Sequence, residues 1–346
     1  MNIKKELPEV KENVLLKNYT TFKIGGRAKY FFEAKSKEET IKAILVAKKL
    51  RLPFFILGGG SNTLVADEGF KGIVIKIKNE KLKIKNYNSK FKIICEAGTP
   101  LAKLVFNSLQ IGATGLEWAV GIPGTIGGAI YGNSGAFGKS IGDAVRKVEV
   151  FDLTESRIRN YELRDCKFGY RDSIFKRKKN LIVLSVTIRL KKRNKKEIEK
   201  KIEEHLEYRK KTQPLDFPSI GSIFKNPSPI QVFKKFGRAS GFSAGELGEE
   251  DKSSSSATEL PKEVKIRKRM KFSCDFAAAR MIEKCGLKGK MIGKAKISEK
   301  HGNFIVNLGG AKAKDVKKLI KLVKQKVKKK FGIVLEEEVQ YLGFKK

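Results

Sequence analysis

The sequence predicts an α+β fold in two parts, and three observations support this prediction. Short apolar runs of strand length alternate with few helical segments over the first 190 residues. A lysine-rich polar junction, KKRNKKEIEK, then leads into a second set of helices and strands. The length of 346 residues is sufficient for two or three domains, each with its own core.

The first part is predicted to contain two helices among several strands. Ser36 and Glu39 stand at the spacing of a capping box, and apolar residues follow at helical spacing to about Leu50. A second helix is predicted from Pro100 to Gln110, because proline is favoured in a first helical turn. The predicted strands are PFFIL (53–57), GIVIKI (72–77), FKIICEAG (91–98), RKVEVFD (146–152) and LIVLSVTIRL (181–190).

The second part is predicted to begin with a helix that ends near Thr212. Further predicted elements are helices at 278–286 and about 313–330, and strands at NFIVNL (303–308) and GIVLEEEVQYL (332–342). Residues 228–276 contain SSSS and alternating acidic and basic runs, so we expect a partly disordered loop or insertion there. The predicted domains are 18–192 and 193–346, preceded by an N-terminal extension of residues 1–17.

Cysteine and histidine usage argues against metal and disulfide chemistry. The four cysteines lie far apart without a CxxC pair, and there are only two histidines. The N-terminal sequence has no charged-then-apolar leader, and no apolar run approaches the roughly 20 residues that span a bilayer. We therefore expect a cytoplasmic protein with neither a metal site nor a membrane-inserted segment.

The formal net charge of +38 leaves more than one explanation open. Strong positive charge attracts nucleic acid, membranes and phosphorylated metabolites. The lysines are spread along nearly the whole chain, however, and no RNA-binding aromatic signature accompanies them. We expect solvated lysine-rich faces and no specific nucleic-acid partner. A colourless protein with salt-sensitive DNA binding would instead indicate a nucleic-acid-binding function.

A glycine triplet occurs within PFFILGGGSNTLV (53–65), where apolar residues lead directly into bare backbone. The triplet is not a P-loop, because no GK[ST] follows it, and it does not match the GxGxxG dinucleotide fingerprint. Successive N–H groups in such a loop can form an anion-binding nest. Taken alone, the segment is equally compatible with a tight loop between strands.

A second glycine-rich segment, GLEWAVGIPGTIGGAIYGNSGAFG (115–138), contains eight glycines and one proline. Its GTIGGA sequence is suited to begin a helix whose N-terminus favours a diphosphate. Two exposed-backbone segments about sixty residues apart indicate a large ligand that is held from both sides. A dinucleotide cofactor fits this description better than a single phosphate.

Six ordered motifs carry a family resemblance. They are TTFKIGGRA (20–28), ILGGGSNTLVAD (56–67), the segment 115–138, FGYRDSIFK (168–176), PSIGSIFKNP (218–227) and HGNFIVNLGG…FGIVLEEEVQYLG (301–343). Together they resemble the UDP-N-acetylenolpyruvoylglucosamine reductase (MurB) family, within the vanillyl-alcohol-oxidase-like, PCMH-type FAD-binding superfamily. The resemblance covers about residues 18–343 except for 228–276. It implies a two-part PCMH-type FAD-binding domain followed by an α+β substrate-binding domain.

The resemblance implies a two-step oxidoreductase reaction in peptidoglycan precursor synthesis. NADPH reduces non-covalently bound FAD, and the reduced flavin delivers a hydride to the enolpyruvyl ether of a UDP-sugar. The residues that it implies for cofactor binding are Gly58, Gly59, Gly60, Ser61, Asn62, Gly121, Ile122, Pro123, Gly124, Thr125, Gly127 and Gly128. Another FAD-dependent oxidase or dehydrogenase of the superfamily is the alternative, but it leaves YRDS, GSIFKNP and LEEEV without a role.

Three residues match the catalytic positions of the family. Arg171 matches the arginine that stabilises an enolate-like intermediate, and Ser222 matches the proton donor. Glu338 matches the third catalytic residue. Strand alternation puts Glu336 and Glu338 on one face and Glu337 on the other, so pattern alone does not choose between the first two.

Further matches imply contacts with the substrate. These expected contact residues are Tyr170, Lys225, Asn226, Arg209 and Asn303. Arg209 belongs to a basic cluster that either meets the UDP diphosphate or forms the charged end of a helix. The expected partners are therefore the UDP-sugar and NADPH, and we expect a monomer.

Overall fold

A computed structural model describes residues 3–236 and 276–345. The helices are α1 (Ile3–Glu6), α2 (Lys37–Lys49), α3 (Leu101–Gln110), α4 (Ile126–Gly132), α5 (Ile174–Arg177), α6 (Lys195–Thr212), α7 (Pro229–Phe236), α8 (Ala278–Lys284) and α9 (Ala313–Phe331). Short 3₁₀ turns lie at Leu16–Tyr19, Glu117–Ala119 and Ile141–Asp143. The predicted α+β class is confirmed.

The strands are short, and many of them were not predicted from the sequence. They are β1 (Lys11–Leu15), β2 (Arg27–Ala34), β3 (Phe54–Leu57), β4 (Thr63–Val65), β5 (Phe70–Ile77), β6 (Leu82–Tyr87), β7 (Lys90–Glu96), β8 (Ala113–Thr114), β9 (Gly135–Ala136), β10 (Lys139–Ser140), β11 (Val145–Asp152), β12 (Arg157–Glu162), β13 (Leu181–Lys192), β14 (Ser219–Ser222), β15 (Met291–Ile292), β16 (Ala295–Ile297), β17 (Phe304–Asn307) and β18 (Gln340–Leu342). All five strands predicted for the first part are present, with shifted ends.

The start of α2 shows why the sequence predicts its boundary well. The Ser36 hydroxyl accepts a hydrogen bond from the Glu39 backbone N–H at 3.1 Å, as an N-cap should. The Glu39 carboxylate accepts from the Lys35 N–H at 2.7 Å, one residue before the position of a standard capping box. Both contacts satisfy N–H groups at the helix entrance, so the helix begins at Lys37.

Two sheets build the first part of the chain. One has the order β1-β2-β5-β3, in which β5 is parallel to both β2 and β3. The other has the order β12-β11-β13-β7-β6, with β8 added beside β13, and its pairs are antiparallel. One large apolar core is shared by the two sheets and by helices α2, α3 and α4. This core fixes where the loops that follow β3 and α3 emerge.

The expected N-terminal extension is part of this first unit. Strand β1 pairs with β2, and Ile3, Leu7 and Val10 are buried in the shared core. Burying these side chains ties the first residues to the domain that follows. The described portion of the N-terminus is therefore integrated into the fold.

A second core lies around α9 and the sheet β14-β17-β16-β15. The helix buries Val316, Leu319, Ile320, Val323 and Val327 at helical spacing, and it ends where Gly332 adopts a left-handed φ of 66°. Its N-terminus is capped from the first part of the chain. The carboxylate of Asp67 accepts from the N–H of Ala313 at 2.8 Å and from the N–H of Lys314 at 3.1 Å.

The two parts are interleaved near the end of the chain. Strand β18 pairs in parallel with β4, which follows the glycine triplet. Phe22, Ile24 and Leu64 belong to the second core, although they precede residue 192. The predicted continuous strand over GIVLEEEVQYL is wrong, because only Gln340–Leu342 is a strand and Glu337 forms an isolated bridge with Phe224. Between α9 and β18 the chain is irregular apart from this bridge.

The prediction for 228–276 falls mostly on residues 237–275, which lie outside the described residues. Within the described part, α7 occupies the beginning of this stretch. Also within that part, no helix is long and apolar enough to cross a membrane. The described residues likewise contain no cluster of three or more His, Cys, Asp or Glu side chains arranged to hold a metal ion.

Candidate active site

The two glycine-rich segments lie against each other, which agrees with the expectation that they form one site. A Cβ atom added at Gly59 would lie 2.6 Å from the Cα atom of Gly124, and one added at Gly58 would lie 2.5 Å from Thr125 Oγ1. Side-chain carbon atoms do not approach backbone atoms so closely. Glycine is therefore required at Gly59 by the contact itself.

A third segment, residues 97–100, completes this arrangement and was not recognised in the sequence as part of the site. The carbonyl of Ala97 accepts from the N–H of Gly127 at 2.8 Å, and the carbonyl of Thr99 accepts from the N–H of Ile126 at 2.9 Å. Helix α4 begins within GTIGGA as expected, and Thr125 caps it. The cradle is hereafter the set of residues 58–62, 97–100 and 121–128.

Buried polar atoms without a protein partner are concentrated around this cradle. Within the described residues they are Asn62 Oδ1, Asn79 Nδ2, Thr99 Oγ1 and Arg209 Nε. Asn62 and Thr99 belong to the cradle, the Asn79 Oδ1 atom accepts from the Gly98 N–H at 3.1 Å, and Arg209 packs beside Gly121. Unpaired buried polar atoms are unfavourable, so their grouping indicates a large polar ligand with both donors and acceptors. The cradle fits FAD in this respect.

Lys76 is a half-buried cation at the base of the cradle. It lies on β5 opposite Leu57, and its ammonium group donates to the carbonyl of Gly58. Burial is the main cause that lowers the pKa of Lys76, followed by the positive charge of Lys78. The contact fixes the peptide that begins the glycine triplet.

The turn that carries Arg171 is held firmly by its neighbours. Gly169 and Asp172 exchange backbone hydrogen bonds at 2.9 and 3.3 Å, and Arg171 has a left-handed φ of 54°. Lys176 Nζ donates to the carbonyl of Arg171 at 3.0 Å. Asn133, at the end of α4, donates to the carbonyl of Gly169 at 2.7 Å. The turn is therefore fastened to the helix that starts in the cradle.

Arg171 and Glu338 are brought into direct contact across the two parts of the chain. The Nε atom of Arg171 lies 3.1 Å from one carboxylate oxygen of Glu338 and 3.2 Å from the other. Both side chains are largely but not fully buried. A partly buried ion pair of this kind can hold both groups in a fixed orientation toward a ligand.

The three consecutive glutamates are separated by their partners. Glu336 pairs with Lys225 at 3.0 Å, whereas Glu337 pairs with Lys324 of α9 at 2.7 Å. Glu338 pairs with Arg171. Glu337 is thus directed to α9, whereas its two neighbours pair with residues outside that helix. Contact with Arg171 distinguishes Glu338 from Glu336, which the sequence pattern did not.

Ser222 ends β14 at a distortion of the strand. Gly221 before it has a φ of 77°, and the pairing register with β17 shifts between Ser219 and Ser222. The next residue, Ile223, accepts from the N–H of Glu338 at 2.8 Å. Ser222 is therefore placed on the chain segment beside that of Glu338, and its side chain is half-buried.

The predicted substrate residues fall into two groups. Lys225 pairs with Glu336, and Tyr170 accepts through its hydroxyl from the N–H of Asn226 at 3.3 Å, which links the arginine turn to the serine segment. Asn303 is buried, and its amide group both accepts from the Phe224 N–H and donates to the Phe224 carbonyl, at 2.9 and 2.8 Å. Asn303 therefore holds the backbone after Ser222, and its expected contact with the substrate stays a prediction.

Arg209 is not the exposed end of a helix. Its side chain is 7% exposed, donates to the carbonyl of Trp118 at 3.1 Å and stacks over Phe137 at 5.4 Å. Burial, and then the charge of Arg171, lowers the pKa of Arg209. Arg209 thus lies between the cradle and the arginine turn, where it can meet an anionic ligand.

Sequence reasoning missed several residues that shape the site. They are Lys76, Asn79, Thr99, Asn133 and Lys176. Lys176 is the last residue of the FGYRDSIFK motif, Asn133 lies within the glycine-rich segment 115–138, and Thr99 directly follows a predicted strand next to a glycine, so weak signals existed for these three. Burial, and then the charge of Lys225, lowers the pKa of Lys176. The others are identified only by their contacts.

Comparisons with known proteins agree with this geometry. The model of the UDP-N-acetylenolpyruvoylglucosamine reductase C-terminal domain matches residues 213–342, and an FAD binding domain model matches residues 28–160. UDP-N-acetylenolpyruvoylglucosamine reductases from Caldanaerobacter subterraneus and Thermotoga maritima are each 39% identical, covering 96% and 93% of this chain and 93% and 95% of their own lengths. The crystal structure of the enzyme from Thermus caldophilus is similar with a TM-score of 0.71 at 33% identity, covering 96% of this chain and 99% of that one.

Proposed function

Since the chain belongs to the UDP-N-acetylenolpyruvoylglucosamine reductase family, we propose that Arg171, Ser222 and Glu338 carry the reduction of an enolpyruvyl UDP-sugar with electrons from NADPH. The observation that carries this proposal is the contact between Arg171 and Glu338 beside the segment of Ser222. The product is the corresponding UDP-N-acetylmuramate. The alternative of another FAD-dependent oxidase is disfavoured, because the relatives from Caldanaerobacter subterraneus, Clostridium novyi and Thermotoga maritima, which this chain matches over more than nine-tenths of their lengths, are named as this reductase.

The cradle is the proposed binding site of FAD. When bound, FAD accepts a hydride from NADPH and passes it to the substrate. The glycines allow backbone N–H groups to approach the ligand, and the unpaired atoms of Asn62, Asn79 and Thr99 offer hydrogen bonds to it. None of the cradle residues is a His or Cys that could form a covalent link to FAD.

Arg171 is proposed to stabilise the charge that develops on the substrate. Addition of a hydride to the terminal carbon of the enolpyruvyl group moves an electron pair toward its carboxylate and gives an enolate. The contact with Glu338 uses the Nε atom of Arg171, which leaves the Nη groups of the guanidinium for a carboxylate. A fixed cation costs little reorganisation as the charge forms.

Ser222 is proposed to donate the proton that completes the reaction at the adjacent carbon. Serine is a weak acid, so it needs a fixed orientation and a route for proton replacement. The bend at Gly221 and the clamp of Asn303 on Phe224 supply the orientation. Glu338 is proposed to hold Arg171 in place and to polarise the group that donates the proton.

Two further expectations remain proposals. We expect the protein to work as a monomer in the cytoplasm, with the UDP-sugar and NADPH as its small-molecule partners. The high positive charge would attract both of these phosphorylated compounds.

Rapid mixing separates the two half-reactions and tests the assignment. In Ser222→Ala, NADPH should bleach the flavin at the rate of the unmodified protein, whereas reoxidation by the enolpyruvyl UDP-sugar should stall. Ser219→Ala, on the same strand, is the matched control and should behave normally in both. Reoxidation of Ser222→Ala at the normal rate would show that another group donates the proton.

A further inference from the structure

Asn62 connects the glycine triplet to the residue that carries the catalytic carboxylate. Its Nδ2 atom donates to the carbonyl of Glu338 at 3.0 Å, and its own carbonyl accepts from the N–H of Gln340 at 3.0 Å. These two contacts continue into the pairing of β18 with β4, in which Gln340 is opposite Thr63. Asn62, the last residue of the glycine loop, thus binds the backbone on both sides of Val339.

The orientation of the Asn62 amide follows from this contact. An amide rotated by 180° would place Oδ1 against the carbonyl oxygen of Glu338, and two acceptors repel each other. Nδ2 must therefore face Glu338. The Oδ1 atom is left buried, and it has no partner within the described residues.

An unpaired Oδ1 atom requires a hydrogen-bond donor. The phosphate oxygens of FAD accept hydrogen bonds and do not donate them, so a diphosphate cannot satisfy this atom. The hydroxyl groups and ring N–H of FAD are donors. The side chain of Asn62 therefore matches a hydroxyl or N–H of the cofactor, whereas the backbone of the triplet remains suited to its diphosphate.

Within the part of the chain that the structure describes, Asn62 is the cradle residue that anchors Glu338 by a side-chain hydrogen bond. Its N–H donates to Ile223, beside Ser222, and its carboxylate pairs with Arg171. The bond from Asn62 thus sets the position of its backbone relative to the cradle. Hydrogen bonds in a chain polarise one another, so a donor on Oδ1 strengthens the bond that Nδ2 makes to Glu338.

We propose that Asn62 is a positioning residue that links the cofactor to Glu338, with Oδ1 bound to a donor group of FAD and Nδ2 holding the Glu338 backbone. The proposal rests on the catalytic role of Glu338 given above. The cofactor would complete the hydrogen bonding of the Asn62 amide and thereby strengthen its hold on the backbone of Glu338.

The test is a double-mutant cycle on the holoenzyme in excess FAD. Asn62→Ala should slow reoxidation by the enolpyruvyl UDP-sugar about tenfold, the effect of one well-placed hydrogen bond, and should change flavin reduction by NADPH less than twofold. In a Glu338→Gln background the same substitution should slow reoxidation less than twofold, because Asn62 acts through Glu338. The Kd of FAD should rise about tenfold in both backgrounds.

Two controls keep the result specific. Asn86→Ala, on the exposed edge strand β6, should leave all of these values unchanged. Hydrogen exchange of the holoenzyme should become faster in Asn62→Ala for the peptide 338–342 but not for β11. If Asn62→Ala does not fold, Asn62→Ser takes its place, because a hydroxyl is too short to span the distance to Glu338.

Three outcomes would overturn the proposal or its premise. An unchanged Kd of FAD in Asn62→Ala would show that Oδ1 does not bind the cofactor. Equal slowing of reoxidation in both backgrounds would show that Asn62 does not act through Glu338. Normal reoxidation of the single variant Glu338→Gln would instead refute the catalytic role of Glu338 itself.

Discussion

Replacing Gly59 with alanine should damage the cradle by a purely steric route. The added Cβ atom would lie 2.6 Å from the Cα atom of Gly124, whereas ordinary contacts of Cβ atoms begin at 3.4 Å. The two glycine segments would have to separate by about 0.8 Å, and neither side of the contact is a side chain that can rotate away. Such overpacking costs about 1–3 kcal/mol. The Kd of FAD should therefore rise by about 5-fold to 150-fold.

Titration of FAD by the quenching of flavin fluorescence measures this Kd, and a thermal melt of each protein reports the folding stability. Gly132→Ala is the matched control, since nothing lies within 4 Å of a Cβ atom built there and alanine is favoured in helix α4. The control should bind FAD within twofold of the unmodified protein. Equal Kd values for Gly59→Ala and Gly132→Ala would refute the close packing of the two segments as the basis of the cradle.

Three other predictions follow from contacts in the structure. Lys176→Met removes the hydrogen bond to the Arg171 carbonyl, so reoxidation of the flavin by substrate in stopped flow should slow about fivefold. Lys176→Arg should restore part of the rate. An unchanged rate in Lys176→Met would show that this bond is not needed to position Arg171. Asp67→Ala removes the cap of Ala313 and should lower the free energy of unfolding by about 1 kcal/mol in urea titrations, whereas an unchanged midpoint would contradict the capping role. Burial raises the pKa of the Cys95 thiol from 9.0 to about 12, so stability should fall as pH rises from about 9 toward 12, because only the unfolded chain ionises there. The difference between the urea midpoints at pH 8 and pH 10 should become smaller in Cys95→Val without vanishing, because burial also raises the pKa of the Cys166 thiol to about 12. An unchanged difference would assign the alkaline loss to groups other than Cys95.

Local features of the fold were predictable because their causes are local. The N-cap at Ser36, the apolar period of α9 and the apolar runs of the five predicted strands each depend on residues within about one element. The prediction failed for GIVLEEEVQYL, whose β-branched and aromatic residues favour a strand. Most of that segment pairs with no neighbouring strand, because it crosses from α9 to the first part of the chain.

The candidate site was predictable in its residue types and only partly in its geometry. Glycine is required where two backbone segments touch, and the glycine triplet in the sequence indicated such a contact, which the structure places at Gly59. The family resemblance assigned Asn303 to the substrate, which stays a prediction, and the structure adds that its amide holds the backbone of Phe224. An asparagine next to a strand has the same sequence pattern in either role, and only its neighbours in space differ.

The sequence by itself determined the α+β class and the two glycine segments, since these depend on spacing and residue type, and its resemblance to the reductase family made Arg171 and Ser222 candidates. The tertiary structure decided that Glu338, and not Glu336, contacts Arg171, which lies 167 positions away. It also decided that Asn62 holds Glu338 across 276 positions. Contacts between residues so distant in the chain are set by how the two cores pack together, and no pattern within a single segment encodes that packing.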